Sequence, residues 1–161
     1  MKKLYTLSFV LLASLSFGQT PIGLIGVNVP YIEDFSGMGA SLTTYLPGWT
    51  AINVSNGATL SMAVTNGAAS TGNAYNVGAI GDEERAFGTL ADATITPALG
   101  AVFQNNTGST VSKISIQTRM EQWKESGNAG TNETVAFYYS LDATSLSTGT
   151  WTPVSALNLN E

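Results

Sequence analysis

Hydrophobic and polar positions alternate along much of this chain, with turn residues between the alternating runs. In residues 58–64, Leu60, Met62 and Val64 alternate with Thr59, Ser61 and Ala63, and Asn56-Gly57 and Asn66-Gly67 flank the run. Period two between Asn-Gly turns predicts a half-buried strand. Leu99, Ala101 and Phe103 alternate in the same way, and residues 105–109 (NNTGS) then supply turn chemistry. The next run puts Ile114, Ile116, Thr118 and Met120 on one face and Lys113, Ser115, Gln117 and Arg119 on the other. These two runs predict an antiparallel hairpin closed by the 105–109 turn. A further strand is expected over 133–141, with Val135, Phe137, Tyr139 and Leu141 on one face. Weaker strand signals cover 31–36, 75–80, 85–90 and 151–156. Residues 119–126 hold helix formers for one or two turns, and no longer window shows a 3.6-residue period. Seven or eight short strands separated by turns predict an all-β fold, a jelly-roll-like sandwich of two antiparallel sheets.

The first eighteen residues stand apart from that pattern. Lys2 and Lys3 precede an apolar stretch over 4–15, and Ser16 and Gly18 place small residues before Gln19. That layout predicts a signal peptide cleaved after residue 18. The apolar stretch is shorter than the ~20 residues of a spanning helix, so no membrane span is expected after cleavage. Residues 19–30, with Gly and Pro but no period, read as a leader into a β-module over 31–161.

Composition narrows the chemistry. Gly, Ser, Thr and Asn make up 65 of the 161 residues, which favours turns and strands over helices. With no His and no Cys, the chain has no Ser-His-Asp triad, cysteine nucleophile or Cys/His zinc site. Six basic residues against eleven acidic ones, a net charge of −5, leave no cationic footprint for nucleic acid. Secretion without disulfides means that stability must come from packing.

Several stretches carry a resemblance. They are Asp34-Phe35-Ser36, Leu46-Pro47-Gly48-Trp49, residues 81–90 (GDEERAFGTL), residues 100–108 (GAVFQNNTG), Glu121-Gln122-Trp123-Lys124, residues 137–143 (FYYSLDA) and Gly149-Thr150-Trp151-Thr152. In order and spacing over 31–157, the chain resembles the concanavalin A-like jelly-roll module near the N-terminus of secreted multidomain proteins of Bacteroidota-type bacteria. Members of that family usually read Asp-Arg-Ala followed by Leu-Gly. Here Glu84-Arg85-Ala86-Phe87-Gly88 departs slightly. Members also run on into further strands, other domains and often a type IX secretion sorting domain. The resemblance therefore implies a C-terminally incomplete fragment, whose partners include downstream domains of the same polypeptide. It also implies a protein secreted by, or held at the surface of, a Gram-negative bacterium.

The candidate site residues fall into two sets. Asp34, Asp82 and Glu83, in the acidic clusters 33–34 and 82–84, could supply carboxylates to a Ca²⁺ ion, which takes six to eight oxygens. The favoured reading makes Asp82 a turn residue after Gly81 and Arg85 an ion-pair partner for a neighbouring carboxylate. No Asp-x-Asp-x-Asp-Gly loop is present, so the expected cofactor is none, with Ca²⁺ the single exception kept open. Trp49, Trp123, Trp151 and Tyr45 could stack on sugar rings or pack the core, and Trp123 has the most polar neighbours. Arg119 and Lys124 are expected to pair with Glu121 or Glu125. No catalytic residues are assigned. The expected function is that of a non-catalytic extracellular accessory or adhesion module, with polysaccharide or extracellular matrix as partner. The alternative is the accessory domain of a secreted hydrolase, for example a nuclease, whose catalytic domain lies beyond residue 161.

Overall fold

The computed structural model describes residues 19–125 and 133–160. The expected signal peptide, residues 1–18, lies outside the described residues. The chain is all-β, and no α-helix occurs among the described residues. Its strands are β1 (Ile22–Leu24), β2 (Trp49–Asn53), β3 (Met62–Thr65), β4 (Asn73–Val77), β5 (Ala86–Leu90), β6 (Pro97–Ala101), β7 (Phe103–Asn105), β8 (Thr134–Val135), β9 (Tyr138–Tyr139), β10 (Thr152–Pro153) and β11 (Leu159–Asn160). Single 3-10 turns lie at Ser36–Met38 and Ser155–Leu157.

The largest sheet has three strands, with β4 between β3 and β5. β4 runs antiparallel to β5, with Asn76 opposite Phe87 and Val77 opposite Ala86. It runs parallel to β3, with Met62 opposite Ala74 and Thr65 opposite Val77. A parallel neighbour requires the chain to travel back along the full strand before it pairs again. Four strand residues cover ~13 Å at about 3.3 Å each, a distance the 66–72 connection can span without a helix. β1 and β7 are also parallel, while β2–β6, β9–β10 and β8–β11 are antiparallel. The strands thus form five small sheets. Two of the pairings depart from the all-antiparallel arrangement expected from the alternation. Period two reports a buried face but says nothing about the direction of the partner strand.

The core lies between the three-stranded sheet and the β2–β6 pair. Ala51, Leu60 and Ala74 are buried at its centre, and Tyr45, Phe87 and Ile95 pack against them. Leu60 and Met62 are buried as their alternation predicts, whereas Val64 is 41% exposed. β3 pairs only with β4, so its far end sits at a sheet edge.

Three expected elements take other forms. Residues 31–36 are not a strand. The Glu33 and Asp34 carboxylates accept the Phe35 and Ser36 backbone N–H groups at 2.9 and 3.0 Å, and the chain turns there. Phe35 has φ 62°, a left-handed conformation uncommon for an aromatic residue. The 99–103/113–120 hairpin does not form, because β6 pairs with β2 instead and β7 with β1. Residues 110–125 carry no strand, and Ile114 and Ile116 are 64% and 50% exposed. The expected 133–141 strand is broken into β8 and β9, with Leu141 fully at the surface. Alternation marks a segment suited to a half-buried face, and no facing layer covers these residues among those described.

Between β5 and β6, Asp92 ties the turn to the start of β4. Its carboxylate accepts the backbone N–H groups of Gly72 at 2.6 Å, Thr94 at 2.8 Å and Ile95 at 2.9 Å. These bonds, led by that of Thr94, stabilise the ionised form and lower its pKa from 3.8 to about 2. A depressed folded-state pKa adds stability that is present above the unfolded value and lost as pH falls through the folded one. The urea midpoint of the wild-type chain should therefore drop between pH 3.8 and about 2. In Asp92→Asn this drop should be shallower, and parallel curves for the two proteins would contradict the assignment.

Candidate functional site

The most unusual local chemistry lies on the central sheet. Asn76, in the middle strand β4, is completely buried, and Arg85, just before β5, is 4% exposed. Arg85 Nε donates to Asn76 Oδ1 at 2.6 Å, Nη2 to the Asn76 carbonyl at 2.9 Å, and Nη1 to the Ala79 carbonyl at 3.1 Å. Asn76 Nδ2 in turn donates to the Gly39 and Leu42 carbonyls, each at 3.0 Å. One amide thus bridges the guanidinium to the loop after the first 3-10 turn. Gly78 makes room for this, since a Cβ there would collide with the Arg85 guanidinium and with the Glu84 carbonyl at 2.7 Å.

The expected ion pair between Arg85 and a neighbouring carboxylate is absent among the described residues. Glu84 turns outward and lies 3.8 Å from Arg119, which also pairs with Glu121 as expected. The two neighbours just before β5 thus divide, Glu84 to water and Arg85 inward. Lys124 instead donates to the Ala69 carbonyl.

A cleft of about 280 Å³ opens beside this node. Its walls include Val64, Thr65 and Asn66 at the end of β3 and Gly78 and Ile80 in the β4–β5 connection, with Arg85 among the lining residues.

The four candidate aromatic residues separate into two environments. Trp49 and Tyr45 join an inner cluster. The Phe35 ring lies 4.9 Å from Trp49 and 5.6 Å from Phe87, and Phe87 lies 6.2 Å from Trp49 and 5.6 Å from Tyr45. These edge-on and tilted arrangements suit the ring quadrupoles. Trp49 Nε1 donates to the Tyr31 hydroxyl at 3.0 Å, and the Tyr31 hydroxyl to Glu33 Oε2 at 3.0 Å. The Tyr45 hydroxyl donates to the Leu60 carbonyl. Burial raises both phenol pKa values, so both remain protonated donors at neutral pH.

Trp123 and Trp151 lie outside that cluster and are 38% and 37% exposed. Trp123 Nε1 donates to Glu121 at 3.1 Å, and Trp151 Nε1 to the Thr148 carbonyl at 2.8 Å. Trp151 immediately precedes β10, whose Pro153 sits opposite Tyr138 of β9. Trp151 itself lies outside the paired register, one residue before the ribbon begins. Tyr138 and Tyr139 are 50% and 44% exposed. Tyr138 was not among the expected site residues, because only the pairing of β9 with β10 brings it to the strand that follows Trp151.

The calcium candidates are dispersed among local tasks. Asp34 Oδ1 holds the Ser36 N–H, and Asp82 Oδ1 accepts the Glu84 N–H at 3.1 Å. Glu83 reaches toward Gly39 instead, its Oε2 3.5 Å from where a Cβ would stand. No group of three His, Cys, Asp or Glu side chains that could hold a metal ion occurs among the described residues. No helix among them is long and apolar enough to cross a membrane.

Comparison with known proteins adds no relative: no family model, curated protein or solved structure matches this chain.

Removing the Asn76 side chain should leave Arg85 Nε without its acceptor inside the protein. Breaking a buried charged network in this way costs about 3 kcal/mol or more. Asn76→Ala should therefore lower the urea-unfolding free energy by about that amount. A loss below ~1 kcal/mol, within the range of an ordinary hydrogen bond, would show that the node contributes little.

Proposed function

We propose that this chain is a non-catalytic extracellular module that binds polysaccharide, part of a larger secreted protein. The observation that carries this reading is the pair of exposed rings at one short ribbon, Tyr138 in β9 and Trp151 immediately before β10. Aromatic rings held at the surface cost apolar hydration, and they favour ligands that present apolar faces edged with hydroxyls. Sugar rings have that character. The hydrogen bond from Trp151 Nε1 to Thr148 holds the indole in place, so less side-chain freedom is lost on binding. Trp123, anchored by Glu121, offers a second exposed ring. Trp49 and Tyr45 pack in the inner aromatic cluster instead.

The jelly-roll-like sandwich belongs to the same proposal, as does adhesion to matrix through the same rings. So does a continuation of the polypeptide into further domains, over which exposed residues such as Ile114, Ile116 and Leu141 could pack. Secretion rests on the signal-peptide pattern of residues 1–18, and six basic residues against eleven acidic ones offer no cationic footprint for DNA.

Affinity electrophoresis across a polysaccharide panel tests the reading. At least one polymer should retard the wild-type chain, and Trp151→Ala and Tyr138→Ala should each weaken that retardation by about tenfold, the size of a ~1.4 kcal/mol stacking loss. Both positions are exposed, so neither change should lower the melting temperature by more than a few degrees. Retardation unaffected by either substitution would remove the ribbon from the site.

A further inference from the structure

Arg85 carries a full positive charge inside the protein without a carboxylate partner among the described residues. A guanidinium has five N–H donors. The three bonds to Asn76 and Ala79 use the Nε donor, one donor on Nη1 and one on Nη2. One N–H on each terminal nitrogen is left without an acceptor among the described residues. An unpaired buried charge is costly, and burial strengthens its attraction for an anion. The acceptors it does have are neutral, an amide and two backbone carbonyls.

This side chain lines the 280 Å³ cleft between the end of β3 and the Gly78–Gly81 connection. That volume is just below the ~300–1,000 Å³ of typical small-ligand sites and suits one ring-sized group. Thr65 already receives the Gly67 and Ala69 N–H groups at its hydroxyl, each at 3.2 Å. The Asn66 side-chain oxygen likewise takes the Ala68 N–H at 3.3 Å. The mouth is therefore a set turn rather than a loose loop. Asp82, Glu83 and Glu84 follow Gly81 along the chain and are exposed, where solvent screens them. Arg119 also stands against Glu84.

We propose that this cleft is a binding site for a carboxylate, with the two remaining Arg85 N–H groups as donors and an acidic sugar, a uronate, as the ligand class. The assignment rests on the polysaccharide reading and narrows it: the aromatic ribbon takes neutral ring faces, while the cleft selects the charged sugar. A planar carboxylate matches a guanidinium fork with two parallel bonds. A uronate adds to that carboxylate the ring that the cleft can hold.

The test uses the mature chain with galacturonate and glucuronate monomers, inorganic phosphate and sulfate as competing anions, and neutral glucose as control, read by calorimetric titration. Because Arg85→Met could unfold the protein, the decisive variants leave Arg85 in place. Val64 is 41% exposed at a sheet edge and lines the cleft. Val64→Asp should weaken uronate binding at least tenfold, and Val64→Lys should preserve or strengthen it, with both variants melting near the wild type. Uronate affinity that is equal in the two variants, or absent altogether, would overturn the cleft. Phosphate or sulfate binding as tightly as uronate would overturn the carboxylate assignment. Neutral polysaccharide still retarded through Trp151 while uronates are ignored would sink this inference alone. Uronate binding without any neutral retardation would sink the ribbon and keep the cleft.

Discussion

A guanidinium buried without a counterion among the described residues constrains everything around it. Arg85 needs acceptors on the inside, and the fold supplies them from Asn76 and from the Asn76 and Ala79 carbonyls. To serve as acceptor, Asn76 must sit in the middle strand of the largest sheet, where both edges are occupied. Its amide then has two donors to place, and these reach across to Gly39 and Leu42. Gly78 has to lack a Cβ for the guanidinium to lie where it does. The polar node thereby specifies which loop packs on the sheet. Apolar burial of Ala51, Leu60 and Ala74 supplies non-directional stability beside it.

Burial is distributed unevenly, and function follows that distribution. The fully buried residues lie in the span from Met38 to Arg85, around β2, β3 and β4. Residues 110–160 instead place Ile114, Ile116, Val135, Tyr138, Tyr139 and Leu141 at the surface. Regions with few buried apolar contacts open most easily. They are also where aromatic groups stay available to a partner. The inner rings of Trp49, Tyr45, Phe35 and Phe87 and the outer rings of Trp151 and Tyr138 illustrate the two uses of one residue class.

Much of the strand content could be read from the chain, because Leu60 and Met62, for example, alternate with polar residues and are buried on that account. The pairing could not. β3 and β4 are parallel although only a short turn-rich connection joins them, and no periodicity encodes direction. The alternation at 113–120 is as clean as at 58–64, but among the described residues no layer covers it and it stays outside the sheets. The acidic clusters illustrate another limit. Asp34 and Asp82 occupy turns whose backbone N–H groups they bind, and a carboxylate holding its own turn looks the same in sequence as one waiting for a cation. Arg85 was visible only as a basic residue beside Glu84. Its acceptors come from β4 and from the β4–β5 connection, which only the folded chain brings to it.

Amide hydrogen exchange resolved by residue tests the central claim that the Arg85–Asn76 node anchors the most stable part of the fold. The ladder-bonded amides of β4 and β5 should exchange only through global unfolding, so that their exchange free energies match the unfolding free energy in urea. Amides of β8 to β11 should exchange through local opening at a much lower free energy. Equal protection throughout, or faster exchange in β4 than in β9 and β10, would contradict it.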